Sequence, residues 1–88
     1  MRRDAEHFEG QELELVYIAA RLEEAKTVES ILDHEDIDYT VEVEHYRAGI
    51  IFASLRAGAF FYVPPEAAAR CRQILTERGY RAQGGAPP

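Results

Sequence analysis

The residues best able to do chemistry in this chain cluster between positions 45 and 58. Two identical tripeptides, Arg47-Ala48-Gly49 and Arg56-Ala57-Gly58, bracket the apolar segment 50–55. The two guanidinium groups and His45, with backbone N–H groups at glycine turns, could gather an anion. An exposed apolar strand at 50–55 would instead invite pairing with another chain. We predict a binding or self-association surface at Tyr46, Arg47, Ile50, Phe52 and Arg56.

Aromatic residues form a second candidate site. Tyr17 and Tyr62, together with His45, are candidate contacts for a small ligand. The segment 56–63 also follows the basic, glycine, aromatic order of the signature strand in RNA-recognition domains, which stack bases on aromatic rings. However, Glu42 and Glu44 are expected on the same sheet, and the net charge is −6. Because nucleic-acid binding needs a basic surface, we expect no nucleic-acid partner, and RNA binding is a minor alternative.

Catalytic and metal-binding spacings are missing from the sequence. His7, His34 and His45 have no histidine or cysteine two or four residues away that would define a zinc site. The single cysteine, Cys71, excludes an internal disulfide and any Cys-x-x-Cys motif. We therefore expect no catalytic residue, no metal and no cofactor, and we expect Cys71 to be a small buried hydrophobe.

Acidic residues are concentrated at the end of the first predicted helix, where they oppose the helix dipole. The cluster comprises Glu29, Asp33, Glu35, Asp36 and Asp38. Such a cluster could dock a basic partner or a hard cation, or could be a solvated charged surface. The sequence leaves its role open.

Length, composition and charge limit the class of protein. A chain of 88 residues with a 47% apolar fraction is one small globular domain. Its apolar segments are far shorter than the ~20 residues of a membrane span, and its acidic charge disfavours anionic membranes. We expect a cytoplasmic protein with no membrane partner. Since so short a chain has a small core, we also expect a homo-oligomer.

The elements that must position these residues follow from a repeat with an offset of 43. Ala25, Ile31 and Leu32 correspond to Ala68, Ile74 and Leu75. Each unit has the pattern of a strand, a helix, a turn and the start of a strand. Helices are predicted over 21–35 and 65–78, and strands over 12–18, 39–45, 59–63 and 80–83, with 50–55 as an additional short strand. The order βαββαβ predicts an α+β, ferredoxin-like plait with two helices on one face of an antiparallel sheet.

Helical spacing predicts which side chains face the core. In the first helix these are Leu22, Ala25, Val28 and Leu32, and in the second they are Ala68, Cys71 and Leu75. Asp36 and Gly79 are predicted to take the left-handed position that ends each helix. The domain is predicted over 12–82, with a mobile arm over 1–11 and a disordered tail over 83–88.

Several short motifs between residues 12 and 80 match one known pattern. They are Glu14-Leu15-Val16-Tyr17, Glu24-Ala25, the segment 30–37, Val43-Glu44, Tyr62-Val63-Pro64-Pro65-Glu66, Ala68-Ala69 and Ile74-Leu75. With these motifs the chain resembles a family of prokaryotic signal-transducing proteins of unknown function that have a PII-like ferredoxin fold. The resemblance implies a bacterial, cytoplasmic regulatory or adaptor module that self-associates and binds a protein or a small ligand.

A different class of function is also consistent with this topology. A dimeric ferredoxin-like enzyme would act on a small apolar substrate over the aromatic sheet face. That hypothesis requires a pocket between the sheet and the helices with a polar group, such as His45, inside it.

Overall fold

The computed structural model describes residues 1–48 and 54–84, and of residues 45–48 and 54–57 it gives the backbone. A 3-10 helix over Ala5–Phe8 precedes the main elements, which are β1 (Glu14–Ala19), α1 (Leu22–His34), β2 (Thr40–Ala48), β3 (Ser54–Val63) and α2 (Pro65–Glu77). The strands form an antiparallel sheet in the order β1-β3-β2. The predicted α+β class, an antiparallel sheet with two helices, is confirmed at this level.

The two helices have the spacing that the repeat predicts. α1 and α2 each have 13 residues, and both their first and last residues are separated by the predicted offset of 43. Neither helix has a side-chain cap at its start. Pro65 provides favourable start chemistry in α2, because proline at the first helical position has no N–H to leave unpaired. Among the described residues, no helix is long and apolar enough to cross a membrane.

Both helices end in a Schellman motif, as predicted. After α1, Asp36 has a positive φ of 56°, and the Ile37 N–H donates to the Leu32 carbonyl at 3.0 Å. After α2, Gly79 has a φ of 88°, and the Tyr80 N–H makes the equivalent bond at 2.9 Å. These bonds pair carbonyl groups that would otherwise have no partner at the helix end.

One core cluster joins both helices to the sheet. It includes Ala25, Val28, Ile31 and Leu32 of α1, Ala68, Cys71 and Leu75 of α2, and Val16, Tyr17, Ala19, Ile37, Tyr39, Phe61 and Val63. The prediction for Leu22 is wrong, because this side chain is 71% exposed. It belongs to the first turn of α1 and lies at the rim of an open pocket instead of in the core.

A bulge interrupts the pairing of β1 with β3. Leu15 pairs with Tyr62 and Tyr17 pairs with Phe61, so Val16 is an extra residue on β1. Strict alternation would place Val16 and Tyr17 on opposite faces of the sheet. With the bulge, both side chains are buried in the core cluster.

The predicted turn at residues 56–58 is wrong. β3 begins at Ser54, and Arg56 and Gly58 pair with Tyr46 and Glu44 of β2. The ladder with β2 gives these backbone groups the hydrogen-bond partners that a turn would otherwise have to supply. Of the proposed extra strand at 50–55, Ser54 and Leu55 belong to β3, and the other residues lie outside the described part of the chain.

The predicted last strand is not formed over residues 80–84, the described end of the chain. One backbone bond is present there, in which the Gln83 N–H donates to the Val16 carbonyl at 2.7 Å. Arg72 holds this segment beside β1. Its Nε donates to the Gln83 carbonyl at 2.7 Å and its Nη2 donates to the Leu15 carbonyl at 3.1 Å, while Nη1 pairs with Glu14 at 3.1 Å.

The segment predicted as a mobile arm, 1–11, contacts the domain at β2. The Arg3 N–H donates to the Tyr39 carbonyl at 2.7 Å, and the Tyr39 N–H donates to the Met1 carbonyl at 3.2 Å. Phe8 is 4% exposed although it is not a member of the core cluster. Residues 1–3 therefore lie beside Tyr39, just before β2, and the segment then passes through the 3-10 helix to β1.

Candidate functional site

The β2–β3 hairpin carries the residues predicted to form the binding surface. Tyr46 pairs with Arg56, Arg47 with Leu55, and His45 with Ala57. The two arginines, which the sequence analysis assigned to separate turns, therefore lie on adjacent strands of one ladder. Ile50 and Phe52, the other two predicted contacts, lie outside the described residues.

Two rows of side chains cross the sheet on the face away from the core, which we call the outer sheet face. One row is Ile18, Phe60 and Glu42, and the other is Leu15, Tyr62 and Thr40. Residues directly opposite in antiparallel strands share a face, and Phe60 and Tyr62 alternate with the core residues Phe61 and Val63. Leu15, Ile18, Phe60 and Tyr62 are all partly exposed.

Acidic side chains border the aromatic residues of the outer sheet face. Glu42 lies opposite Phe60, and Glu44 lies opposite Gly58. The pKa of Tyr62 is raised, mainly by its burial and then by the negative charges of Glu44 and Glu42. The face thus combines an apolar centre with a negative edge, which suits an apolar or basic partner better than a nucleic acid.

A shallow apolar pocket of about 230 Å³, here called the hairpin-base pocket, lies between the start of α1 and the hairpin. Its lining consists of Ala19, Ala20, Arg21, Leu22, Ala25, Val43, Gly58 and Ala59. Val43 is 72% exposed and Leu22 is 71% exposed. Two large apolar side chains are therefore exposed together at one concave surface.

The strand pattern explains why Val43 is exposed. Val43 follows Tyr39 and Val41 at alternate positions on the core side of the sheet, and both of those side chains pack in or against the core cluster. β2 continues to Ala48, and its partner strand begins at Ser54. From Val43 onward the hairpin therefore extends beyond the core.

The predicted ligand contacts Tyr17 and Tyr62 are not brought together. Tyr17 lies in the core, where its hydroxyl donates to the Glu24 carboxylate and its ring packs edge-on against Tyr80 at 5.7 Å between centroids. Burial, followed by the contact with Glu24, raises the pKa of Tyr17. Tyr62 lies on the outer sheet face, so one ligand would not contact both tyrosines from the same side of the sheet.

Much of the acidic cluster is paired with basic groups of the same chain. The Met1 ammonium lies 3.4 Å from Asp33 and 3.7 Å from Asp38, and Arg3 lies 3.3 Å from Asp38. Arg2 lies 3.5 Å from Glu29. The acidic end of α1 is therefore the contact surface for residues 1–3.

The remaining acids of the cluster have different roles. Glu35 pairs with Arg70 at 3.2 Å and with Arg78 at 3.6 Å, which links the end of α1 to α2. Asp36 supplies the left-handed residue after α1. Within residues 1–48 and 54–84, no group of three His, Cys, Asp or Glu side chains is placed to hold a metal ion.

Cys71 is completely buried in the core, as predicted. Burial raises the pKa of its thiol to about 11, so the thiol is protonated at neutral pH. A protonated, inaccessible thiol is a poor nucleophile. Cys71 therefore acts as a packing residue in α2.

Comparison with known proteins gives no relative for this chain: no family model, no curated protein and no solved structure matches it.

Proposed function

We propose that this protein is a small cytoplasmic regulatory or adaptor module that works by binding. It self-associates through the β2–β3 hairpin and the outer sheet face, and it meets a protein or a small ligand on those surfaces. The observation that carries the proposal is the extension of the hairpin beyond the core, which leaves Val43 72% exposed on the core side of the sheet. On the other side, Phe60 and Tyr62 are partly exposed.

Val43 is exposed on the core side where the extension begins, and Phe60 and Tyr62 are partly exposed on the opposite face of the adjoining sheet. Together they favour surfaces that another molecule covers. Exposed apolar patches of this kind mark interaction sites, and small domains gain stability when they bury them by association. The binding residues in this proposal are Tyr46, Arg47, Ile50, Phe52 and Arg56.

The proposal includes a ferredoxin-like plait and membership of the signal-transducing family with a PII-like fold. The strand order β1-β3-β2 is that of the first three strands of such a plait. Its fourth strand would lie beside β1, at the edge where the Gln83 N–H donates to the Val16 carbonyl. The equal spacing of α1 and α2 within the 43-residue repeat also supports this fold.

The enzyme hypothesis finds less support in the geometry. It requires a polar group such as His45 in a pocket between sheet and helices. The hairpin-base pocket is lined mainly by small apolar side chains, with Arg21 as the charged residue. The test of the enzyme hypothesis is His45→Ala and Arg56→Ala. If these variants lost an enzymatic activity while partner binding persisted, the binding-module proposal would be wrong.

The test is the subunit number of the purified protein, measured by native mass spectrometry and by light scattering after gel filtration. We expect an oligomer that Phe52→Asp converts to a folded monomer, with an unchanged circular dichroism spectrum. Ala69→Asp, on the exposed side of α2, is the matched control and should leave the oligomer intact.

Two results would overturn the proposed self-association. One is a wild-type protein that is monomeric at all concentrations tested. The other is an oligomer unaffected by Phe52→Asp and by a second hairpin variant, Ile50→Asp. If Phe52→Asp unfolds the chain, Ile50→Asp and Arg56→Glu provide the same test at neighbouring positions.

A further inference from the structure

We infer that the hairpin-base pocket receives the apolar segment 50–52 from a second copy of this chain. This inference rests on the proposed self-association and names the surface that the hairpin contacts. The segment is Ile50-Ile51-Phe52, and the pocket is the concave surface beside Leu22 and Val43.

The size of the pocket favours side chains over a free small molecule. Pockets for drug-sized ligands are roughly 300–1,000 Å³, whereas this pocket has a volume of about 230 Å³. Its lining is mainly alanine, glycine, leucine and valine. A concave apolar surface of this kind suits one or two apolar side-chain anchors, and a few well-buried anchors carry most of the binding energy of a protein interface.

Chain geometry favours an occupant from a second copy. Ala48 pairs with Ser54, and Val43 lies five residues before Ala48, or about 17 Å back along the strand at ~3.4 Å per residue. Residue 51 is three residues from both Ala48 and Ser54, so its Cα can lie at most about 11 Å from either, which is less than the distance back to Val43. A second copy has no such limit on where it presents the segment.

The charges of the two surfaces are complementary. Residues 45–65 contain two arginines, Arg47 and Arg56, and no acid, whereas the remaining chain has 8 basic and 16 acidic residues. Glu23 and Glu24 follow Leu22 in the first turn of α1, and Arg21, which lines the pocket, is positive. The arginines that flank segment 50–52 would therefore approach a helix start with two negative charges and one positive charge when the segment enters the pocket of another copy. Opposite charges of this kind fix the register of an interface and speed association.

The first experiment measures association of a pocket variant. Leu22→Asp should raise the dissociation constant of the oligomer at least tenfold and leave the circular dichroism spectrum unchanged, since Leu22 is exposed and outside the core. The matched control is Thr76→Asp on the exposed side of α2, which should leave the dissociation constant unchanged. If wild-type and Leu22→Asp chains associate equally well, the pocket is not the contact surface.

The second experiment identifies the occupant by cross-linking in a Cys71→Ala background. Chains with Leu22→Cys are mixed with chains with Phe52→Cys and then oxidised, and we expect a disulfide-linked heterodimer. Chains with Thr76→Cys in place of Leu22→Cys should give no such product. A disulfide within one chain that carries both Leu22→Cys and Phe52→Cys, at a protein concentration too low for association, would contradict an occupant from a second copy.

The outcomes separate this inference from the proposed function. If the protein associates and Phe52→Asp breaks the oligomer, but Leu22→Asp does not and no 22–52 disulfide forms, self-association stands and the pocket inference is wrong. A disulfide between Phe52→Cys and Ile18→Cys instead would place the segment on the outer sheet face of the second copy. If the wild-type chain does not associate, both proposals are wrong.

Discussion

Asp36 and Gly79, 43 residues apart, hold the same backbone position after the two helices. Both have a positive φ, 56° at Asp36 and 88° at Gly79. In each case the next residue donates its N–H to the helix carbonyl five residues before it. One helix thus ends with a residue that pays a steric penalty for this conformation, and the other ends with glycine, which does not.

This relationship predicts opposite effects of two substitutions. Asp36→Gly should raise the free energy of unfolding by up to about 1 kcal/mol, because glycine adopts positive φ without strain. Gly79→Ala should lower it by about 1 kcal/mol, and by backbone strain alone, since no atom lies within 4 Å of an added Cβ. Urea denaturation measures both. Equal and small effects at the two sites would mean that the left-handed conformation carries no penalty here.

Leu75→Ala should cost ~2–5 kcal/mol, because Leu75 is completely buried and its removal leaves a cavity in a small core. The matched control is Leu22→Ala, which removes the same atoms from a side chain that is 71% exposed. The control should change stability by less than about 0.5 kcal/mol under conditions where the protein is monomeric. Thermal or urea unfolding measures the loss of stability in each variant. Equal losses in Leu75→Ala and Leu22→Ala would contradict the assignment of Leu75 to the core and Leu22 to the surface.

The raised pKa of Tyr39 predicts that the protein loses stability at alkaline pH. The Tyr39 hydroxyl lies 3.1 Å from a carboxylate oxygen of Glu29 and 3.1 Å from one of Asp33, so its single proton is shared between these two acceptors. Burial, followed by these carboxylates, raises its pKa well above the ordinary value of about 10. The folded state therefore keeps the phenol proton where the unfolded state loses it. The stabilisation is fully present below about pH 10 and is lost as the pH rises above that value.

The corresponding measurement compares wild type with Tyr39→Phe between about pH 8 and about pH 11.5. The variant should be less stable at the lower pH, since it loses the shared hydrogen bond, and its stability should fall less steeply towards the higher pH. Tyr17 and Cys71 also have raised pKa values, so the stability of both proteins should still fall to some extent as the pH rises. If the two slopes were identical, the phenol of Tyr39 would not be linked to folding.

Gly84→Ala should loosen the segment that Arg72 holds beside β1. Gly84 has a φ of 75°, and an added Cβ would lie 2.6 Å from Nη2 of Arg72. We expect faster hydrogen exchange at the Gln83 N–H and a loss of stability of about 1 kcal/mol or more. Gly10→Ala is the control, because Gly10 has a similar φ of 84° but no atom within 4 Å. Equal effects of the two variants would show that the contact with Arg72 does not matter.

The local elements of this fold could be predicted from the sequence, and the hairpin only in part. Both helices and both helix ends agree with the predictions, because helical spacing and the Asp36 and Gly79 positions act within a few residues. The glycine at position 58 was misassigned to a turn, since glycine favours turns in the absence of other information. In the structure its backbone pairs with Glu44 in a long strand ladder.

The hairpin-base pocket exists because two side chains with the spacing of core residues, Leu22 and Val43, are exposed. Leu22 and Val43 have the spacing of core residues, and the sequence contains no signal that the core ends before it reaches them. Both are exposed because each lies at the end of its element's buried side, where the helix begins and where the hairpin leaves the core. That boundary depends on how far the helices extend over the sheet.

The α+β class, the two helices with their ends, and the burial of most helical apolar residues can be predicted from the sequence. These features follow from hydrogen bonds and side-chain spacings within about five residues along the chain. Four other features cannot be predicted in this way: the length of β3, the bulge at Val16, the pairing of the acidic cluster with residues 1–3, and the role of Arg72. Each of these depends on contacts between residues far apart in sequence, and the energy of such contacts is set only when the elements pack together.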